Sequence, residues 1–374
     1  MRRAMGRFGV LFGTHLAELM QIACQWSCTR GFPRLSSICL DSSMTKVLRR
    51  QILRAITAAA ILAAVSRPAA AGRPYPSRPI ALINPFPVGG PLDTLARAMA
   101  ERMGEMLGQA VIVENVTGAS GGIGTSRVAR AAPDGYTLGL GYWGTHVANA
   151  AIYNLDYDVV SDFLPIAQLA RGPLLLVARK TFPANNLNEL IAWLKANPCT
   201  ATQGTAGVGT AVHVVGLLFG KETETCFLQI PYRGVGPAMQ DLLAGHLDIM
   251  FADTAVSLPQ IAAGYVKAFA VTDKRRLTLA PEIPTFAEAG LPSLYFSQWY
   301  GLWAPKGTAS DIIAKINAAV VAALTDPTIR RELTEQGMDV PPSGEQTPQA
   351  LAALQRDEIK KWWPIIKAAG IEAQ

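Results

Sequence analysis

Ile80-Ala81-Leu82-Ile83-Asn84-Pro85-Phe86-Pro87-Val88-Gly89-Gly90-Pro91-Leu92-Asp93-Thr94 is the stretch that decides the architecture of this chain. Ile80–Asn84 is a short apolar run that reads as a strand. Proline and glycine break it, and helical periodicity then runs through Leu107, with Gly108 as its stop. The same grammar of strand, glycine-rich loop and helix recurs. Val111–Glu114 leads into Gly118-Ala119-Ser120-Gly121-Gly122-Ile123-Gly124 and a helix to Ala132. After the turn Pro133-Asp134-Gly135, Tyr136–Leu140 leads into Gly141-Tyr142-Trp143-Gly144-Thr145-His146.

Further along, Leu174–Ala178 reads as a strand and Leu187–Ala196 as a helix. Ala201–Gly204 runs into Thr205-Ala206-Gly207-Val208-Gly209-Thr210 and a helix through Phe219. Leu228–Ile230 runs into Pro231-Tyr232-Arg233-Gly234 and a helix through Leu243, and the strand Ile249–Phe251 ends at Asp253. Ala268–Val271 and Tyr300–Trp303 read as strands. Helices near Asp311–Leu324 and Gln349–Ala369 finish the chain, with a kink expected at Pro364. Alternating strands and helices of this kind predict α/β architecture with parallel sheets. Ligands of such sheets bind beyond the carboxyl ends of the strands, where unpaired helix N–H groups favour an anion.

Two motifs allow other chemistry. Gly118-Ala119-Ser120-Gly121-Gly122 fits G-x-S-x-G between a strand and a helix, the setting of a nucleophile elbow. A serine hydrolase would use Ser120 as nucleophile, a base among His146, His213 and His246, and Asp248 or Asp253 to orient it. The competing reading is a loop whose glycines let backbone approach a ligand. Gly139-Leu140-Gly141-Tyr142-Trp143-Gly144 fits G-x-G-x-x-G, but the residues after it are polar and aromatic rather than a clear helix start, so dinucleotide binding has little support. No pair of histidines stands at ligand spacing and no C-x-x-C occurs, so neither a metal nor a cofactor is expected. His146 and His213 each lie beside a Thr-Gly loop, and bonding of loop backbone is the default for both.

The 374 residues suffice for two domains, and the net charge of +6 raises the question of nucleic acid. Residues 1–71, however, carry ten of the 34 basic residues and two of the 28 acidic ones. The remaining 24 basic and 26 acidic residues leave the body at −2, with no basic stripe, so no nucleic-acid partner is expected. The leader reads as a signal peptide over 44–71. Met44–Arg54 is a basic region, Ala55–Val65 is an apolar run too short to span a bilayer, and Ala69 and Ala71 fit a cleavage site after Ala71. Arg49-Arg50 also fits a twin-arginine signal, so either the general secretory route or export in the folded state is open. Residues 1–43 have no clear role; translation from Met44 is the preferred account, and a genuine extension is the rival. Of five cysteines, Cys24, Cys28 and Cys39 fall in that segment. Cys199 and Cys226 precede neighbouring strands and, in an oxidising compartment, are either a disulfide or two buried thiols.

The run Tyr75-Pro76-Ser77-Arg78-Pro79-Ile80 leading to Pro85–Asp93 resembles the Bug-type receptors of tripartite tricarboxylate transporters. So do Val128-Ala129-Arg130-Ala131-Ala132-Pro133-Asp134-Gly135-Tyr136-Thr137-Leu138, Thr205–Thr210 with His213, Pro231-Tyr232-Arg233-Gly234 and Ala268-Phe269-Ala270-Val271-Thr272. Pro284–Pro292 and Tyr300-Gly301-Leu302-Trp303-Ala304-Pro305-Lys306-Gly307-Thr308 extend the likeness over residues 75–371. The resemblance implies a type II periplasmic-binding-protein fold, two lobes each with a mostly parallel sheet flanked by helices and a ligand cleft between them. Lobe I is expected over 75–173 plus 300–374 and lobe II over 174–299.

It further implies a periplasmic, monomeric, non-enzymatic receptor. Its ligand would be a small carboxylate (a di- or tricarboxylate, an acidic amino acid or an aromatic acid), delivered to a two-component membrane permease or sensed by an orphan receptor. Carried onto this chain, the ligand contacts would be Phe86, Pro87, Gly89, Asp93, Gly144, Thr145 and His146 in the first lobe. Those of the second would be Thr205, Ala206, Gly209, Thr210, Arg233 and Asp253. Thr210 heads a helix and can offer hydroxyl and N–H to one oxygen. Asp93 reads more readily as a helix cap than as a contact. Asp253 would either meet an ammonium group or bond backbone N–H groups of its own lobe. Thr205 and Gly122 stand where family members often carry Ser and Asn, which leaves ligand identity open.

Overall fold

The computed structural model describes residues 74–371. The expectations for 1–43 and for the signal peptide at 44–71 lie outside the described residues. Eight strands follow one path, β2-β1-β3-β9-β4-β7-β5-β6, and β8 joins β4 at its side. The strands are β1 Ile80–Asn84, β2 Val111–Asn115, β3 Thr137–Tyr142, β4 Phe163–Arg179, β5 Thr202–Thr205, β6 Leu228–Pro231, β7 Ile249–Asp253, β8 Val266–Val271 and β9 Ser297–Pro305.

The path divides within β4, which is 17 residues long. Phe163–Pro173 pair antiparallel with β9, whereas Leu174–Ala178 pair antiparallel with β7 on one side and β8 on the other. The first lobe is therefore the sheet β2-β1-β3-β9-β4 and the second is β6-β5-β7-β4-β8. In both, the first three strands are parallel and the fourth runs against them. The fifth strand returns to the common direction, so each sheet is mostly parallel, as expected. The two lobes of a type II binding protein are joined here by β4 and β9.

The long β4 is only partly visible in the sequence, which predicts Leu174–Ala178 alone. Pro165, Gly172 and Pro173 argue against a strand upstream of it. The structure tolerates them because this half of β4 is a sheet edge, paired along its length with β9 and bridged on its other side at Arg171 to Asp339, and its register shifts between Pro165 and Ala167 and again between Gln168 and Ala170. Farther on, the pleat sorts the side chains. Leu174, Leu176 and Ala178 enter the large core shared with the first lobe, and Leu175 and Val177 enter a second core on the opposite face. Ile249 and Phe251 of β7 follow the first set, and Met250 and Ala252 the second.

Helices fill the layers. In the first lobe α1 (Pro91–Leu107) packs on α8 (Ser310–Thr325) and α9 (Pro327–Glu335), with α2 (Gly122–Ala129) against β3. The short α3 (Asn149–Ile152) continues the helical turns after β3. In the second lobe α4 (Leu187–Ala196) precedes α5 (Ala211–Thr223), α6 (Val235–Leu243) and α7 (Thr254–Ala262), which pack on β7. The last helix, α10 (Pro348–Ala368), lies on β4 and continues past Pro364. Parallel pairing of β5 with β6 brings together the chain just before each. There Cys199 and Cys226 are joined by a disulfide, with Cα atoms 4.6 Å apart and the Cys199 N–H donated to the Cys226 carbonyl at 3.0 Å.

Candidate functional site

The strand-to-helix loops of both lobes converge on one cavity of about 550 Å³, open solvent at its mouth included. Its wall includes the starts of α1 (Gly90, Pro91, Leu92), α5 (Thr210, Ala211, Val212) and α6 (Gly234, Val235, Gly236). Each helix opens with N–H groups that have no partner in the helix itself, and the aligned peptide dipoles add positive potential there. Phe86, Pro87, Val88 and Leu92 supply an apolar wall from the first lobe, and Val212, Val235 and Pro237 one from the second. Among the described residues no Lys, Arg or His lines the cavity.

Of the contacts expected from the sequence, Phe86, Pro87, Ala206, Thr210 and Asp253 line this cavity. The others are not brought to its wall, and each has a local occupation. Gly89, at φ +85°, donates its N–H to Asp93 Oδ2 at 3.1 Å. Asp93 also accepts bonds from Arg97 and from Asn115 Nδ2, which in turn donates to the Phe86 carbonyl. Burial would raise the Asp93 carboxyl, but the bonds from Arg97, Asn115 and Gly89 outweigh it and hold the group below the usual carboxylate range. Asp93 thus ties down the Phe86–Gly90 loop that forms part of the wall.

Gly144, Thr145 and His146 are buried in the helical turn that follows β3. The Thr145 hydroxyl donates to the Tyr142 carbonyl and lies 2.9 Å from His146 Nδ1. The His146 ring stacks on Trp303 with centroids 3.7 Å apart. Gly141 leaves the room for this stack, since a Cβ there would run into the His146 ring and lie 3.0 Å from the Trp303 ring. The glycines that suggested a dinucleotide motif thus serve packing. Burial lowers His146 to about 3, so the ring is neutral.

In the second lobe Thr205 is fully buried beneath the loop, with its carbonyl taking the Tyr232 N–H. Gly209 donates its N–H to His213 Nδ1 at 3.3 Å and faces α3 rather than the cavity. Arg233 is exposed, its charge left in water. The family resemblance implies it as a ligand contact, but the turn that it occupies presents the α6 helix start instead.

Tyr142, Gln298 and Tyr300, which no motif in the sequence marks as contacts, also line the cavity. Tyr142 ends β3 and meets Phe86 edge-on and Tyr300 in a stack, at centroid distances of 5.3 and 6.5 Å. Gln298 and Tyr300 come from β9, which passes behind the cavity between the lobes. Gln298 Nε2 and the Tyr300 hydroxyl both donate to Asp253 Oδ1, at 2.6 and 2.9 Å. Asp253 ends β7 and precedes α7, but its side chain accepts no bond from the N–H groups of that helix. Its carboxylate bridges instead to the connecting strand. Burial pushes the Asp253 carboxyl above the usual range, against the bonds from Tyr300 and Gln298.

Ser120 also joins the two lobes. It stands at φ 50°, ψ 36° beside Ala119 at φ 47°, an uncommon conformation for residues other than glycine. Its Oγ donates to the Val208 carbonyl at 2.6 Å, and the Tyr153 hydroxyl donates to the same oxygen at 2.7 Å. Asn149 Nδ2 holds the Ser120 carbonyl at 3.1 Å. No histidine is among the bonding partners of Ser120 in the described residues, so the base that a nucleophile elbow requires is missing. The serine-hydrolase alternative is set aside.

Solved structures carry the same architecture over their whole length. MatC from Rhodopseudomonas palustris, with bound malate, is 38% identical at a TM-score of 0.76, covering 78% of this chain and 100% of that one. The periplasmic binding protein BugD is 38% identical at a TM-score of 0.77, covering 80% and 100%. Rpa4515 from R. palustris, with adipate, is 32% identical at a TM-score of 0.76, covering 80% and 100%. Residues 95–371 match the family described as tripartite tricarboxylate transporter family receptor, TctC, whose members are periplasmic solute-binding proteins and not enzymes. With its two-lobed sheet order and its cavity of helix starts, the chain belongs to the TctC family of Bug-type solute-binding receptors.

Proposed function

We propose that this protein is exported to the periplasm, captures a small carboxylate metabolite between its lobes, and as a monomer hands it to a two-component membrane permease or acts as an orphan sensor. The observation that carries this reading is the convergence of the α1, α5 and α6 starts on one cavity that, among the described residues, has no cationic side chain on its wall. Helix N–H groups can hold a carboxylate tightly and still release it, because no full countercharge has to be broken. Thr210, whose Oγ1 donates to the Gly207 carbonyl at 2.7 Å, keeps its loop folded so that the start of α5 faces inward. Malate in MatC and adipate in Rpa4515 set the chemical scale of the expected ligand. Export would use the cleavable leader at 44–71, by the general secretory or the twin-arginine route.

A ligand that binds the folded state alone raises its melting temperature. A panel of dicarboxylates, tricarboxylates, acidic amino acids and aromatic acids should contain at least one member that raises it by about 5 °C at a hundredfold excess over Kd. Flat melting curves across the panel would overturn the reading.

A further inference from the structure

Asp253 poses a problem of charge. Among the described residues it is the one acidic residue on the cavity wall, it is only 6% exposed, and no basic residue lines the cavity with it. Its Oδ1 takes both of its side-chain bonds, from Gln298 and Tyr300. Among the described residues its Oδ2 takes no hydrogen bond from another residue; the carboxylate's remaining bond comes from its own backbone N–H. It is not spent on capping α7. Much of the surrounding wall is apolar, including Phe86, Val88, Leu92, Val212 and Val235. A carboxylate in such surroundings is costly unless a cation meets it. A second carboxylate from the ligand would add repulsion.

Resting on the reading that the cavity holds a carboxylate, we propose that the ligand is a zwitterion and that Asp253 selects it. The ligand carboxylate lies at the helix starts, its protonated amine meets Asp253 Oδ2, and an apolar body spans the wall between. Of the carboxylates that the family reading leaves open, this favours amino acids over di- and tricarboxylates. Gln298 and Tyr300 act as positioning residues, holding Oδ1 so that Oδ2 faces the ligand. The raised Asp253 carboxyl is in keeping with a site completed by an ammonium, which would draw it back down.

The test is calorimetric titration of the purified protein at pH 7.5 with ligands matched in chain length: succinate against 4-aminobutanoate, glutarate against 5-aminopentanoate, adipate against 6-aminohexanoate. L-leucine and L-glutamate extend the amino series. At least one amino acid should bind tenfold or more tightly than any diacid. Asp253→Asn should weaken that amino acid by about thirtyfold or more, and leave diacid binding unchanged or stronger. Tight binding of diacids with no amino acid bound overturns the zwitterion proposal and leaves the carboxylate reading standing. Equal amino-acid affinity in wild type and Asp253→Asn also overturns it. Silence of every ligand in this series overturns the zwitterion proposal, and the wider melting panel then decides the carboxylate reading. The comparison of matched ligands on wild-type protein decides the question even if the variant does not fold.

Discussion

His146 is sealed between Trp303 and the Thr145 hydroxyl, and its Nε2 has no partner among the described residues. An imidazolium there would leave an N–H unsatisfied in an apolar layer, so the ring stays neutral while the unfolded chain takes up a proton below pH ~6.5. Unfolding is then favoured as pH falls. Each such group costs about 1.4 kcal/mol per pH unit between the unfolded value and the folded one, which is about 3 for His146 and about 4 for His213. Urea unfolding from pH 7 to 5 should show this loss of stability. His146→Phe, which keeps the stack, should reduce the slope by about one proton's worth; an unchanged slope would refute the assignment. Ser120 has its hydroxyl committed to the Val208 carbonyl. A fluorophosphonate probe should leave it unlabelled, and labelling lost in Ser120→Ala would restore the hydrolase. Neither residue was legible in full from its motif. The strand-loop-helix context of Ser120 was correct, but its partner lies 88 positions away. For His146, the expected bond to loop backbone is instead one to the Thr145 hydroxyl, and the stack on a strand far along the chain had no local signal.

Among the elements, the loop Gly207-Val208-Gly209 is one place where the lobes touch. Gly207 stands at φ +112° and a Cβ there would lie 2.7 Å from Ser120 Oγ; Gly209 stands at φ +82° with Asn149 and Ile152 at 3.1 Å. Gly207→Ala should therefore hold the lobes apart and weaken ligand binding at least tenfold, with unchanged circular dichroism. Unaltered affinity would mean that closure does not need this contact. The disulfide closes a loop of 27 residues, and replacing Cys199 and Cys226 together by serine should lower the unfolding free energy by about 3 kcal/mol. A loss below ~1 kcal/mol in denaturant titration would show that the loop is ordered without it. Strand-to-helix units were readable because each obeys a local pattern. The helix at Thr254–Ala262 was not read, Pro259 lying within it. Gln298 and Tyr300 were beyond reach for a different reason: nothing local to a strand tells which distant carboxylate it will cross.

Across the whole molecule, the two sheets repeat one order, with the reversed strand in fourth place: β9 in the first lobe and β4 in the second. Sequence periodicity could predict the parallel triplets, which follow one another along the chain. It could not predict the crossings, which depend on residues more than a hundred positions apart, as in the pairing of Phe163 with Pro305. The crossing also has a consequence for synthesis. Every strand of the second sheet has been made once Val271 has emerged, whereas β1–β3 must wait for Ser297–Pro305 to bridge them to β4. The half that leaves the ribosome first is the half that matures last. A chain stopped after Phe296 should resist protease through its later half while its earlier half is digested.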